Sequence, residues 1–440
     1  GTELDVLDLL SSLADKSLVT VDLERAEPRY SLLESARYYA REKLVARDEQ
    51  QLVAASHARA YLEIAERLES TYDTDPDDVW ISRAQYELDN WRAALEWSLG
   101  KGRDVALGLR LAAALGPVWM RRAAVEGRRW IRMALEAAAA DAPPSVVARL
   151  ELADANVAMH LTLWKHMLSS ARRALGLFEQ VGDRRGTAEA KIVAGRALAL
   201  LGRPQEAEAL LRTSLEMCQT LGIVRLTGTA LESLAMARMT AGDLAGSRPL
   251  YLEALSVFAD IQDEQSIATV SANLAGMEFR AGNPESALRL AQDALVTQRA
   301  TNNPRVALLL CNISAYLVAT RRFDEARDYA REGLTLAEER HMEVQIAWAV
   351  QHLAAIAALR HGEVQSESAA KDRRRAARIL GFVDARLIAL ETSRKYTEQQ
   401  ERDALLTALR EAIGAAALDD LMAAGAAMSE DRAVEESLYY

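Results

Sequence analysis

Cysteine is nearly missing from this chain. Its two copies, Cys218 and Cys311, lie 93 positions apart, which excludes a disulfide framework and any zinc-binding spacing. Both read as small buried hydrophobes of a reducing cytoplasm. Proline is sparse at nine in 440 residues, aromatics make up 5%, and no β-branched alternation is sustained. These shortages exclude an extended sheet; with Ala and Leu dominant, they leave an almost wholly helical protein. No run approaches about 18 uncharged apolar residues and no signal peptide opens the chain, so a cytoplasmic protein without a membrane partner is expected. A net charge of −11 disfavours non-specific DNA binding, and direct nucleic-acid binding is not expected.

Catalytic signatures are missing as well. The phosphate-cradling run G-x-x-x-x-G-K-[ST] does not occur; GLRLAAALG and GRRWIRMAL lack its Lys-Ser/Thr pair, so no nucleotide or other cofactor is assigned to this chain. His160 and His166 fall on different faces of a helix, His352 and His361 are no better placed, and there is no H-E-x-x-H. G-x-S-x-G is also absent, and acidic pairs such as Glu338-Glu339 and Asp419-Asp420 read as solvated charge. Neither an enzyme nor a metal site is expected.

What the chain has is a period. Gly182, Gly222, Gln262, Asn302 and Met342 lie forty apart, each inside a short polar break. In the same frame a small residue recurs at Ala155, Gly195, Ala235, Ala275, Ala315 and Ala355. A second break falls between: LLGRPQEA, TAGDLAGS, RAGNPESA, ATRRFDEA and RHGEVQSE. Each unit therefore reads as two helices. In the clearest one, Leu274 and Ala275 lie on the apolar stripe of the first helix, Gly282 can end it, and Pro284 suits the first turn of the second. Ala287, Ala291 and Leu295 then line one face. That triplet returns as Ala207, Leu211, Leu215; as Ser247, Tyr251, Leu255; as Ala326, Ala330, Leu334; and more weakly as Met167, Ala171, Leu175. A small residue at the middle of the first helix lets its partner approach closely; a larger one overpacks by about 1–3 kcal/mol.

Asn273-Leu274-Ala275, Gly282-Asn283-Pro284, Ala287 and Ala294-Leu295 resemble the tetratricopeptide repeat. The usual unit is about 34 residues, so these carry longer helices. Five good copies run from about Val146 to His341, with a degenerate sixth from Trp348.

The front of the chain has another texture. LDVLDLLSSLADKSLV reads as a helix and a strand, Ser17 to Leu23; a turn at ERAEP leads to a second strand, Arg29 to Leu32, and a further helix. This is the back half of a winged helix, so position 1 is expected to fall inside a longer polypeptide. Leu10, Leu13, Asp15 to Val19, Arg29, Tyr30, Leu32 to Glu34, Arg37, Tyr39 and Ala40 resemble the winged helix of bacterial signal-transduction ATPases with numerous domains. Further segments match that family: Glu87 to Asn90, Arg92 to Leu95 and Trp97; Glu126 to Trp130; and Ala376 to Gly381 with Gly425, Ser429 and a helix over 433–438. Trp80, Trp91, Trp97, Trp119 and Trp130 read as core anchors. The resemblance implies the middle-to-C-terminal part of a regulator of the maltose-activator, LuxR-like and antibiotic-regulatory types, whose ATPase lies upstream on the same polypeptide.

The expected fold is all-α, a right-handed superhelix of tetratricopeptide-like hairpins of about forty residues, with a winged-helix fragment at the N-terminus. Expected boundaries are 1–48 for that fragment, 49–145 for a helical linker bundle, 146–362 for the repeats and 363–440 for a degenerate last repeat with capping helices. In repeats of this kind the first helix of each pair lines the concave face. That puts Arg196, Glu232, Met236, Phe279, Arg280, Asn312, Tyr316, His352 and Arg360 in the groove, and Arg196, Glu232, Asn312, Tyr316 and His352 are expected to be well exposed there. This mixture suits an inducer, a peptide or small molecule, or a protein partner. The Lys and Asn clamp of chaperone-binding repeats is not matched. The basic run Lys371-Asp372-Arg373-Arg374-Arg375 reads as the exposed face of a helix backed by Ala369, Ala376, Ile379 and Leu380. The expected function is signal sensing and autoregulation within an ATP-dependent regulator; the alternative is a repeat scaffold that docks proteins or peptides with no ATPase linkage.

Overall fold

The structure is a computed structural model that describes residues 3–22, 29–75, 77–161, 163–301, 303, 305–362, 364, 366–390 and 392–439. The expected ERAEP turn, Asn302 and the side chain of His160 lie outside the described residues. The chain divides into two compact units, Gly1–Ser70 with Ser82–Ala153, and Thr71–Ile81 with Asp154–Tyr440.

In the first unit α1 (Glu3–Asp15) precedes an antiparallel pair, β1 (Val19–Asp22) and β2 (Arg29–Leu32), in which Val19 faces Leu32 and Asp22 faces Arg29. The first strand starts two residues later than the sequence implied. Ser17 takes a left-handed conformation, φ 54°, and its N–H and that of Leu18 close the end of α1 on Ala14 and Leu13 carbonyls. There follow α2 (Glu34–Ala46), α3 (Gln50–Ser70), α4 (Asp77–Leu95), a π turn at Glu96–Gly100, α5 (Val105–Ala114), α6 (Gly116–Arg122), α7 (Ala124–Ala137) and α8 (Pro144–His160), of which Asp77–Ile81 and the part of α8 from Asp154 fall in the second unit. Trp91, Trp119 and Trp130 are buried here, and Trp91 donates its indole N–H to the Tyr61 carbonyl at 3.0 Å. Trp97 is only half-buried and donates to Gln51. Two of the segments singled out in the sequence meet: the Arg92 guanidinium forks onto Glu126 at 2.8 and 2.7 Å, and Glu126 also accepts from Trp130. Hydrogen bonding to Arg92 holds the Glu126 carboxyl below its ordinary range against the opposing effect of burial.

The second unit holds α9 (Trp164–Val181), α10 (Arg184–Leu200), α11 (Pro204–Leu221), α12 (Val224–Thr240), α13 (Leu244–Asp260), α14 (Glu264–Arg280), α15 (Pro284–Ala300), α16 (Val306–Ala319), α17 (Phe323–Glu339), α18 (Glu343–Leu359) and α19 (Glu367–Ala389). Consecutive helices pack as antiparallel hairpins and stack into a repeat superhelix. The forty-residue punctuation works as caps. Asp183 and Asp263 accept from the N–H of Gly186 and Ser266 at the starts of first helices, and Asp243 from that of Gly246 at the start of a second helix, at 2.8–3.0 Å. At the middle of α10, a Cβ added to Gly195 would stand 2.6 Å from Leu211 Cγ, so that helix tolerates no side chain against α11. Ala235, Ala275 and Ala315, its equivalents, are buried as the sequence predicts. Cys218 and Cys311 are free and buried within the repeats.

Residues 71–81, which include the first turn of α4, belong with this unit. Asp73 pairs with Arg185, the Asp75 carbonyl accepts from Arg225, and the Arg225 guanidinium lies 5.3 Å over the Tyr72 ring. Trp80 is buried against Tyr72.

The tail closes the unit with α20 (Tyr396–Ile413), α21 (Ala415–Ala426) and α22 (Glu430–Leu438). α19 and α21 cross at glycine: a Cβ on Gly381 would stand 2.0 Å from the Met422 carbonyl oxygen, and one on Gly425 1.8 Å from that of Arg378. α20 runs back across α14, α16 and α18. The basic run on α19 departs from the expected exposed face. Lys371 and Arg374 are exposed, but Asp372 and Arg373 are buried, because Asp372 accepts from Arg360 and His361 while Arg373 donates to the Gly362 carbonyl at 2.7 Å. No helix among the described residues is long and apolar enough to cross a membrane.

Candidate functional site

The first helices of the hairpins, α10, α12, α14, α16 and α18, contact one another in sequence, so their inward residues form one continuous surface. Two different surroundings divide it.

Over α10, α12 and α14 the inward polar groups bind one another. Arg196 donates to Glu232 at 2.7 Å and to the Ser233 hydroxyl at 2.9 and 3.1 Å, and Asn273 donates to the other Glu232 oxygen at 2.8 Å. Arg196 also reaches the Met159 sulfur at 3.4 Å. Glu232 is only 8% exposed, contrary to the sequence expectation, because Arg196 and Asn273 close over it from the neighbouring repeats. Arg196, Met236 and Asn273 are half-buried and keep an edge toward solvent. A carboxylate fixed by two donors, with a guanidinium still partly accessible, can orient a polar ligand that also touches Met236.

Over α16 and α18 the face is covered by α20. Tyr316 and His352, expected to be well exposed, are 1% and 0% exposed. The reason is a buried latch. His352 Nδ1 lies 2.9 Å from both Glu401 oxygens, and Gln351 donates to the Glu398 carbonyl and to Glu401. Arg394 donates to Gln351 at 2.6 Å and pairs with Asp384, which Arg402 also binds. Burial works to neutralise the His352 imidazolium, but the Glu401 carboxylate outweighs it and holds the pKa well above the ordinary value. Burial raises the Glu398 carboxyl. It also raises the Tyr316 phenol, whose ring packs on Phe279 with centroids 4.7 Å apart.

The remaining predicted positions are scattered. Arg280 places its guanidinium 4.9 Å over the Tyr396 ring of α20, and Asn312 is half-buried on the same stripe as Glu232 and His352. Arg360 is exposed at the end of α18 and turns away to Asp372. The structure thus brings Arg196 to Glu232, and Phe279 to Tyr316. It seals Tyr316 and His352 from solvent. Asn273, Ser233, Gln351 and Glu401 were missed. Asn273 sits in the very Asn-Leu-Ala run that marks the repeat; Glu401 lies outside the repeats and carries no signal. Among the described residues no group of three or more His, Cys, Asp or Glu side chains could hold a metal ion.

Family profiles for the tetratricopeptide repeat match residues 187–222 and 266–339. The chain is 36% identical over 195 residues to a Mycobacterium tuberculosis protein named as an HTH-type transcriptional regulator, a match covering 42% of this chain and 22% of that protein. The chain thus spans about a fifth of that relative's length. Among solved structures it is similar to a Rap protein complexed with competence and sporulation factor, with TM-score 0.53 and 10% identity over 84% of this chain and 99% of that one. It is also similar to a signal transduction ATPase with numerous domains that carries a tetratricopeptide repeat sensor, from Pyrococcus horikoshii. There the TM-score is 0.51 and the identity 15%, over 94% of this chain and 60% of that one. These likenesses establish the tetratricopeptide fold.

Proposed function

We propose that this chain is the signal-sensing and autoregulatory repeat region of an ATP-dependent bacterial transcriptional regulator. Its inducer, a peptide or small molecule, binds the open part of the inner face at Arg196, Glu232, Met236 and Asn273. The carrying observation is that one polar network spans three successive repeats while keeping Arg196 and Asn273 partly accessible. A ligand there changes contacts between repeats, and so couples binding to the curvature of the stack. The α20 latch supplies the autoregulatory part: a ligand that also engages the α16–α18 face must displace it, and shifts the equilibrium only through its differential affinity for the seated and released states. The identity to a protein named as a transcriptional regulator and the fold shared with a repeat sensor of a signal transduction ATPase both support this reading. So does the fold shared with a Rap protein solved with competence and sporulation factor.

The test uses the native polypeptide in its own cell with a reporter on its target promoters. Arg196→Ala with Asn273→Ala should abolish induction at unchanged protein abundance, and the native polypeptide should bind ATP. A double variant that induces normally overturns the ligand site. A native polypeptide that binds no nucleotide overturns the ATPase linkage and leaves a docking scaffold, a reading to which the helix already lying on α16 and α18 would then point.

A further inference from the structure

Between α20 and the repeats lies a cleft of about 650 Å³, within the range of small-ligand pockets, about 300–1,000 Å³. Its floor is apolar, with Phe279, Val318, Phe323 and Leu359. Its roof is the α20 face carrying Ala404, Ala408 and Ala412, four apart, with Leu409 beside them, while Leu405 packs into the core, 0% exposed. The roof therefore leaves the space unfilled.

One corner of the cleft is cationic. The Arg373 guanidinium, on a residue 5% exposed, donates to the Gly362 carbonyl at 2.7 Å. Arg321 Nη2 approaches the same glycine, 3.7 Å from where a Cβ would stand. Arg321 lies over the Phe323 ring at 5.8 Å and has no carboxylate partner among the described residues. It also occupies a left-handed backbone position, φ 60°, which the three preceding hairpins give to Gly202, Gly242 and Gly282. A side chain is disfavoured in that conformation, so arginine sits at this corner against its backbone preference. Of the two acids in the wall, Glu401 is committed to His352 and Gln351, which leaves Glu411 at the far end of α20.

We propose that this cleft binds an amphipathic monoanion, its apolar body between the alanine face of α20 and the Phe279–Leu359 floor, its carboxylate or sulfonate at Arg321. Such a ligand touches α20 and the repeats together and so holds the latch seated. Its effect on the latch rests on the regulatory reading, while the binding itself is testable on the chain alone. The probe is 1-anilinonaphthalene-8-sulfonate, with N-phenyl-1-naphthylamine as its uncharged counterpart. The expected result is saturable binding at one site with blue-shifted emission. Ala408→Phe, which fills the cleft, should abolish it, and Arg321→Gln should weaken the sulfonate about tenfold while leaving the uncharged probe unchanged. Ala404→Leu serves the same purpose if Ala408→Phe lowers the unfolding temperature. Absence of saturable binding, survival of binding in both filling variants, or equal loss of both probes in Arg321→Gln overturns the proposal.

Discussion

On α10, α12 and α14 the inward side chains of Arg196, Glu232 and Asn273 bind one another; on α18 Gln351 and His352 bind α20. The two regions come from one repeat pattern in one frame, with Glu232 and His352 at equivalent positions three repeats apart. Glu232 is stabilised by Arg196 and Asn273, which lie 36 and 41 residues away, that is, in the adjacent repeats. His352 is stabilised by Glu401, 49 residues away and beyond the last hairpin. The comparison teaches that a repeat position sets which way a side chain faces, while a segment outside the array sets whether that direction is solvent.

The largest expected effect breaks the comparison at its covered end. Tyr316→Ala should cost about 3–5 kcal/mol, because a fully buried aromatic packed on Phe279 leaves a cavity under α20. Thermal or denaturant unfolding of the chain measures it. A change below about 0.5 kcal/mol, the value typical of exposed positions, would mean that α20 does not cover this face in solution.

A smaller effect, with a defined sign, comes from the latch. His352 has its folded pKa raised above the unfolded value, so its contribution to stability is fully present below about pH 6.5 and is lost as pH rises through the raised folded value. The groups facing it are Glu401 and Glu398 from α20 and the Cys311 thiol from α16. Stability of the chain should therefore fall as pH rises above the ordinary histidine value of about 6.5. Glu401→Gln removes the charge that overcomes burial, so the variant should lose this slope and weaken instead on acidification. Unfolding midpoints below and above that pH decide; an identical slope in the variant would show that the pair does not carry it.

Much of this was legible because the repeat is local physics. The polar breaks, the small residue at Gly195 and its alanine equivalents, and the Gly-Asn-Pro break each act within about one helical turn or one hairpin, so their spacing alone located the helices. Exposure along the expected inward stripe was not legible. The helix that buries Tyr316 and His352 shares no periodicity with the repeats, and its contacts close loops of about fifty residues. Asp372 and Arg373 show the same blindness: read as a solvated basic face, they are drawn in by Arg360, His361 and Gly362 from the preceding helix end. Within α4 and α7 the reverse held, and two sequence segments singled out separately proved to be joined by Arg92 and Glu126.

The smallest expected effect sharpens the open end of the comparison. Arg196→Ala removes a guanidinium whose side chain is 15% exposed from a carboxylate that is 11% exposed. Glu232 keeps Asn273 as a donor and water can enter from the open side, so the loss should be about 1–2 kcal/mol, well short of that for Tyr316→Ala. Lysine at the same position should recover part of it, since an ammonium can reach Glu232 but cannot also fork onto Ser233. Unfolding midpoints of Arg196→Ala, Arg196→Lys and Tyr316→Ala measured side by side make the check. If Arg196→Ala costs as much as Tyr316→Ala, the network is sealed core on both halves of the face. The open half would then offer no edge for a ligand to grip.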